Sequence, residues 1–253
     1  MKYKALMLDI DGTLCPHGPN DGALLPTKRV SQAINKVKNQ INLCLVTARP
    51  LDKMQSIIKH LKLTGYAILL NGAQIIDMKS GQTVWDKLIE PSDIEKIIRI
   101  GKNHHKSLVY YNDLSTDKEG DISLLHGLAL SNIFFPQVPA EEISQLETEL
   151  TAIPTLSAHR ILMTENNSVG LGVNHVLATK QHAIVNVAKL LDIDTSEIIG
   201  VGDGPNDFPL LIACGLKIAM GNAVPELKAI ADFIAPSVEE DGVATVIEKF
   251  ILP

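Results

Sequence analysis

The chain has 253 residues, 45% hydrophobic and 21% charged, close to the averages for soluble globular proteins. That excludes a disordered or fibrous chain and leaves room for one large α/β domain or a core carrying a smaller insert. Its 23 basic and 29 acidic residues give a formal charge of −6, and no Lys/Arg run builds a stripe for a nucleic-acid backbone, so no nucleic-acid partner is expected.

The first residues, Met1-Lys2-Tyr3-Lys4 and then Ala5-Leu6-Met7-Leu8, begin like a signal peptide, but Asp9 and Asp11 interrupt the apolar run too early. They read as a buried strand. Lys28 to Asn39 puts Val30, Ala33, Ile34 and Val37 on one helical face; Ile41 to Val46 reads as a second strand, followed by a helix carrying Leu51, Met54, Ile57, Ile58 and Leu61. With a third strand from Tyr66 to Leu70, residues 1–72 follow the β-α-β-α-β grammar of a doubly wound parallel sheet.

Between residues 81 and 176 the texture changes. Pro91 and Ser92 open a helix with a capping box to Glu95; Leu108 to Tyr111 reads as a strand, a helix follows Pro139, and Arg160 to Thr164 and Val169 to Val173 read as strands. The loop Asn112 to Gly120 and the turn Glu165-Asn166-Asn167 are its expected mobile edges. The α/β grammar then returns: a helix from Gln181 to Leu191, a strand from Ile198 to Val201, and further units to Phe250. The expected architecture is an α/β fold, a doubly wound parallel-sheet (Rossmann-like) core formed by residues 1–80 and 177–253, with an α+β cap domain inserted at 81–176. No apolar stretch approaches the roughly 18 residues of a membrane span. Cys15, Cys44 and Cys214 are too few and scattered for a disulfide framework or a Cys-based zinc site. A reducing cytoplasm is the expected location.

In open parallel sheets ligands bind outside the carboxyl ends of the strands. Polar residues crowd there: Asp9 and Asp11 after the first strand, Thr47 and Arg49 after the second, Asn71 after the third, and Asp203, Asn206 and Asp207 after the strand at 198–201. Four carboxylates with only Lys180 nearby call for a hard cation, and Mg²⁺ is the expected ion. A carboxylate nucleophile suits phosphoryl transfer because it forms an acyl-phosphate that water then cleaves. Asp9 is placed for that. Asp11, two residues on, can protonate the leaving alkoxide and then deprotonate water. Gly12 lets the backbone turn close to a phosphate, Thr47 offers a hydroxyl, and Lys180 neutralises charge on Asp9 and the transferring group.

Asp9-Ile10-Asp11-Gly12-Thr13-Leu14, Thr47 after an apolar strand, Lys180 opening a helix and Gly202-Asp203-Gly204-Pro205-Asn206-Asp207 resemble the four ordered motifs of the haloacid dehalogenase-like (HAD) superfamily. The insert between the second and third motifs, with Met220-Gly221-Asn222-Ala223 and Asp241-Gly242-Val243-Ala244, resembles the Cof-type, subfamily IIB phosphatases. The resemblance implies a Mg²⁺-dependent phosphatase acting on a small phosphorylated metabolite, a sugar phosphate first and phosphoglycolate second. It makes Asp9 nucleophile and Mg²⁺ ligand, Asp11 acid/base and a metal ligand through its backbone carbonyl, and Asp203 a direct ligand. Asp207 ligates directly or through water, and Asn206 bonds near the phosphate and Lys180. Thr47, Ala48, Arg49, Asn206 and Lys180 form the implied substrate-binding set. Ala48 stands where the family usually has Gly, and Gln181 replaces the Gly common after the Lys.

A phosphosugar mutase of the same superfamily and a catalytically silent binding protein are the alternatives; the retained Asp9 and Lys180 count against the second. Two readings stand beside several residues: substrate contact or an ion pair for Arg49, substrate contact or a turn for Asn71-Gly72, orientation of Asp203 or Lys180 or a plain loop for Asn222, and a thiol near the reaction centre or an incidental one for Cys15; Asp241 reads as a helix cap and His104-His105 as a solvated pair. Tyr110, Tyr111, His159 and Arg160 are the candidates for substrate contact from the cap.

Overall fold

The computed structural model describes residues 2–16, 25–104, 109–111, 129–162 and 169–252, with the backbone alone at 109–111 and Leu162. The expected mobile edges at 112–120 and 165–167 lie outside the described residues, as does His105. Among the described residues, no helix is long and apolar enough to cross a membrane.

The chain opens with β1 (Ala5–Leu8), α1 (Lys28–Val37), β2 (Asn42–Val46), α2 (Gln55–Leu61) and β3 (Tyr66–Leu69), and turns back through β4 (Gln74–Asp77) and β5 (Thr83–Asp86). The middle segment is α3 (Pro91–Asn103), β6 (Val109–Tyr111), β7 (Asn132–Val138), α4 (Ile143–Thr151), β8 (Leu156–Leu162) and β9 (Val169–His175). It ends with α5 (Lys180–Leu191), β10 (Ile198–Gly202), α6 (Phe208–Ile212), β11 (Leu216–Ala219), α7 (Pro225–Ile230), β12 (Phe233–Ile234) and α8 (Gly242–Phe250). α1 buries the four side chains its spacing predicts, and Thr27 caps it, the hydroxyl oxygen accepting from the Val30 N–H at 3.2 Å.

Eight strands form one sheet in the order β12-β11-β10-β1-β2-β3-β4-β5, parallel from β12 to β3 and antiparallel over β4 and β5. Every side chain of β1 is buried, because helices cover both faces of a parallel sheet and its central strands read as unbroken apolar runs. The winding reverses at β1: successive units add β2 and β3 on one side and β10 to β12 on the other. The carboxyl ends of β1, β2 and β10 therefore border one crevice.

β6, β7, β9 and β8 form a second, antiparallel sheet with its own apolar core, where Ile94, Ile97, Ile133, Phe135, Leu146 and Leu171 pack. Strand alternation sends Leu156 and Ala158 of β8 and Leu171 and Val173 of β9 toward α3 and α4. Ser157, His159 and Ile161, paired with Asn174, Gly172 and Gly170, occupy the opposite face. β7 was not read from sequence because Pro136 interrupts it; the strand absorbs the proline at a register shift between Phe135 and Val138, with Gln137 at φ 52°. The expected capping box fails: Pro91 is the first helical residue, so Ser92 lies inside α3 and Glu90 is the cap, without a side-chain bond. His104 is not merely solvated, since its Nε2 lies 3.2 Å from Glu149 Oε1 on α4. β5 falls within 81–176 yet pairs with the large sheet, so we place the start of the insert after Asp86.

The two sheets are joined by buried amides. Asn174 Nδ2 donates to the carbonyls of Leu70 (3.0 Å) and Ser131 (3.1 Å), and Asn132 Nδ2 donates to Asn174 Oδ1 (3.1 Å). Gly72 sits beneath the first turn of α5 at φ +110°, where a Cβ would stand 2.2 Å from the Thr179 carbonyl. Both the dihedral and the space demand glycine. Gly72→Ala is expected to destabilise the fold by about 2–3 kcal/mol, lowering Tm by roughly 5–10 °C; an unchanged calorimetric melt would show that α5 does not depend on this approach.

Candidate active site

Asp9 follows β1 directly, its N–H bonded to Val201 O at 3.0 Å, and only 5% of it is exposed. Gly12, at φ 77°, then turns the chain so that its N–H reaches Cys15 O (2.8 Å) while the Cys15 N–H returns to Ile10 O (2.8 Å). This tight loop sets Asp11 at the cleft and directs the Thr13 hydroxyl to Asp203 Oδ1 at 2.7 Å. Cys15 is 1% exposed, and burial, with Asp11 beside it, pushes its thiol up to about 12. Such a thiol is a small core residue, not a reactive one.

Lys180 is the first residue of α5, capped by Thr179, and is 1% exposed. Its ammonium donates to Asp9 Oδ1 (2.7 Å), Asp207 Oδ1 (2.6 Å) and Val46 O (3.2 Å). Burial alone would lower its pKa, but the Asp207 and Asp9 carboxylates outweigh it and hold the ammonium above its ordinary value. Asp207 is held on its other oxygen by the N–H groups of Asp203 and Gly204, both at 2.9 Å. Burial, then the nearby Asp207 charge, raises Asp9 well above the usual carboxylate range against the pull of Lys180, and the same two causes bring Asp203 up to about 8.

Asp9, Asp203 and Asp207 each offer a carboxylate oxygen within 4.8 Å of the others, all three residues buried. One ammonium does not balance three carboxylates, and an all-oxygen donor set carrying uncompensated negative charge fits a hard divalent cation. Asp11 stands outside that triad. Arg49 forks onto it, Nε to Oδ2 at 2.7 Å and the terminal nitrogen to Oδ1. The cleft is lined by Asp9, Asp11, Thr47, Ala48, Asp203 and Asn206 together with Gly204, Asp207 and, from the second sheet, Ile161.

The residues expected from sequence thus meet at one place, Lys180 beneath the cleft floor and Arg49 beside Asp11. Sequence reasoning gave Thr13 no role, although its position two residues past Asp11 puts it within the same loop. For Asn222 the sequence offers two readings, orientation of Asp203 or Lys180 and a plain loop; its Nδ2 donates to Gly12 O (2.8 Å) and Asp203 Oδ2 (3.2 Å), while its Oδ1 accepts from the Val238 N–H (2.9 Å), so the contact made is the one to Asp203. Asp241 makes no side-chain cap on α8 and accepts from the Thr27 hydroxyl instead. Of the cap candidates, Arg160 faces away from the cleft and pairs with Glu147 (Nε to Oε2, 2.9 Å), because even-numbered β8 residues point toward the helices. Tyr110 and Tyr111 lie on β6, their side chains outside the described ones. His159 sits on the cleft-side face with Ser157 Oγ 3.1 Å from its Nε2.

The family description "haloacid dehalogenase-like hydrolase" matches residues 6–121 and 115–247. The chain belongs to that family. Along nearly its whole length (98% of this chain, 96% of the relative) it is 25% identical to the 5-amino-6-(5-phospho-D-ribitylamino)uracil phosphatase YcsE of Bacillus subtilis. Its fold superposes on a haloacid dehalogenase-like hydrolase from B. subtilis with TM-score 0.83 at 20% identity, covering 98% of this chain and 100% of the other. It superposes on the subclass IIB sugar phosphatase BT4131 with TM-score 0.82 at 19% identity, covering 99% and 100%. The protein is an enzyme of this family of the phosphatase kind, and the α/β fold expected from the motifs is the fold found.

Burial, and next the Lys180 charge, lowers the His159 imidazole from its ordinary 6.5 to about 4. The unfolded chain therefore binds a proton near pH 6.5 that the folded chain refuses until near 4. The corresponding stability is complete above about pH 6.5 and is lost as pH falls toward 4, by up to about 3 kcal/mol. Urea unfolding at pH 7 and 4.5 is expected to show a fall in stability about 2–3 kcal/mol larger for wild type than for His159→Gln; equal falls would mean the imidazole is protonated in the fold.

Proposed function

We propose that the protein is a Mg²⁺-dependent phosphatase that passes the phosphoryl group of a small phosphorylated metabolite through an aspartyl-phosphate on Asp9. The observation that carries this reading is the buried ion triad of Lys180 with Asp9 and Asp207, set beside Asp203 and opening on Asp11. With Oδ1 of Asp9 held by Lys180, Oδ2 is the atom left to attack phosphorus. As the new O–P bond forms, the ester P–O bond breaks and Asp11 gives its proton to the leaving alkoxide. Water then attacks the same phosphorus, Asp11 takes its proton, the acyl-phosphate P–O bond breaks, and Asp9 is restored with release of inorganic phosphate.

Held by Asp9, Asp203 and the Asp11 backbone carbonyl, with Asp207 direct or through water, Mg²⁺ would neutralise charge on the transferred phosphoryl group. Thr47, Ala48 and Asn206 line the cleft where phosphate oxygens would lie, and the Lys180 ammonium keeps Asp9 oriented. Both Asp11 oxygens are engaged by Arg49, so proton transfer requires the fork to open. A phosphate dianion entering the cleft is a competing partner for the guanidinium. A polyhydroxylated substrate, a sugar phosphate before phosphoglycolate, is supported by YcsE, named for a ribityl phosphate, and by the superposed sugar phosphatase. We place the enzyme in the cytoplasm, in keeping with three buried free thiols.

Phosphate release from a panel of sugar phosphates, phosphoglycolate and p-nitrophenyl phosphate is expected to need Mg²⁺, to stop with chelator, and to fall at least about a thousandfold in Asp9→Asn. Folded protein that binds Mg²⁺ yet releases phosphate from nothing would sink the hydrolase reading. Independently of turnover, Mg²⁺ at about a hundred times its Kd is expected to raise Tm by roughly 5–10 °C, and Asp203→Asn to abolish the shift. An equal shift in that variant would place the ion elsewhere.

A further inference from the structure

Among the described residues that line the cleft, six carry polar side chains, Gly204 carries none, and two are apolar: Ala48, just after β2, and Ile161, on β8. Ile161 is the larger of the two and the only one of the nine from the second sheet. It serves neither core. Alternation along β8 turns Leu156 and Ala158 toward α3 and α4 and sets Ile161 on the opposite face, outside both apolar clusters and partly exposed. Part of its apolar surface is thus left to whatever occupies the cleft.

The side chain is held in place. β8 runs against β9 through seven consecutive pairs, with Ile161 opposite Gly170 and diagonal to Gly172. A Cβ on Gly172 would lie 3.4 Å from Ile161 Cδ1, 3.3 Å from Asn71 Nδ2 and 3.5 Å from Asn132 Nδ2, so the tip of Ile161 packs onto bare backbone at a closely filled spot. Branching at Cβ restricts its rotamers further. Ile161 is therefore a fixed wall.

In-line displacement decides what meets that wall. Attacking and leaving oxygens lie on opposite sides of phosphorus. With Asp9 attacking from the end of β1, the ester oxygen and its carbon point away from the large sheet, toward the side from which Ile161 enters. The cleft holds about 40 Å³, less than a third of the roughly 150 Å³ that admits a benzene ring. A phosphoryl group takes up that space, so the first carbon of the leaving group lies at the walls.

We infer that Ile161 is a specificity-determining residue that selects primary alkyl phosphates over secondary ones. A CH2 next to the ester oxygen lies against the isoleucine, whereas a second carbon on that atom is driven into it. This rests on the phosphatase reading of the same cleft and narrows its substrate class to esters of primary alcohols. A closely packed apolar wall resists added volume, and one carbon more or less against such a wall discriminates by about 10- to 200-fold.

Glycerol 1-phosphate and glycerol 2-phosphate test the inference, because they share composition and charge and differ in whether the phosphorylated carbon is primary or secondary. Hydrolysis of p-nitrophenyl phosphate by wild type but not by Asp9→Asn tests the phosphatase reading alone, and its failure would remove both. With that activity in hand, wild type is expected to favour glycerol 1-phosphate in kcat/KM by at least about tenfold. Ile161→Ala is expected to bring the ratio to within about threefold of one, and Ile161→Val, which removes a single carbon, to fall between. A ratio measured within one protein is not moved by a uniform loss of activity or stability. A wild-type ratio near one, turnover of p-nitrophenyl phosphate with neither glycerol ester accepted, or a ratio unchanged from wild type in either variant would overturn the assignment.

Discussion

Everything in the catalytic half of this molecule is arranged around one buried ammonium. Lys180 reaches Asp9 and Asp207 at 2.7 and 2.6 Å from a position 1% exposed to solvent. Removing a charge from water is costly, and removing one member of a buried ion pair is costlier because the partner is left uncompensated. The triad therefore ties three distant chain segments together: the end of β1, the turn after β10 and the first turn of α5. Gly72 is part of the same constraint, since α5 can begin where it does only because nothing projects from residue 72. The lysine meets the carboxylates only halfway. Burial first, and then the Asp207 charge left unbalanced, hold Asp9 and Asp203 high, and a divalent cation would relieve both.

The carboxylates differ in how far their oxygens are already committed, and that sorts their work. Asp207 accepts two backbone N–H groups on one oxygen and Lys180 on the other, so it is the fixed member that holds the lysine. Asp203 is held by Thr13 and Asn222, one on each oxygen, each from a different loop. Asp9 is anchored on a single oxygen. Asp11 alone is bound to a long, partly exposed side chain that can move away. Rigid groups thus stand where charge must be held steady, and the one partner able to exchange sits on the group expected to move protons.

How much of this was visible in the chain depends on whether a residue's role is local. The core strands and helices are legible because apolar spacing follows the sheet and the helix directly, as Val30, Ala33, Ile34 and Val37 illustrate on α1. The site residues are legible because they occupy strand ends, where topology forces them together. β7 is illegible because Pro136 contradicts the strand pattern and only the bulge reconciles them. Asn71 and Asn222 are marked only as polar residues at a strand end and in a loop, and nothing local says which groups they bond. An Asn-Gly pair reads as a turn, and it is a turn; that its amide bonds the cleft-lining Asn206 depends on a residue 135 positions away. Cooperation between loops from opposite ends of the chain leaves no period to read.

The second sheet shows the same division within single strands. Its helix-side residues, Leu156 and Ala158 on β8 and Leu171 and Val173 on β9, obey a two-residue period because they answer only to a core. The cleft-side residues between them, Ser157, His159, Ile161, Gly170, Gly172 and Asn174, share no common character. Small, polar and apolar side chains alternate with no regard for propensity, and two glycines weaken a strand that packing alone would have filled. Such a face is shaped by what it must admit. Asn174 reaches across to the Leu70 carbonyl and steadies the turn that holds Asn71, and the bare Gly172 lets that turn pack close against the second sheet. The cleft is accordingly walled from both sides, by Ile161 of the second sheet and by Ala48 and Asn206 in the loops of the first, with the buried triad beneath.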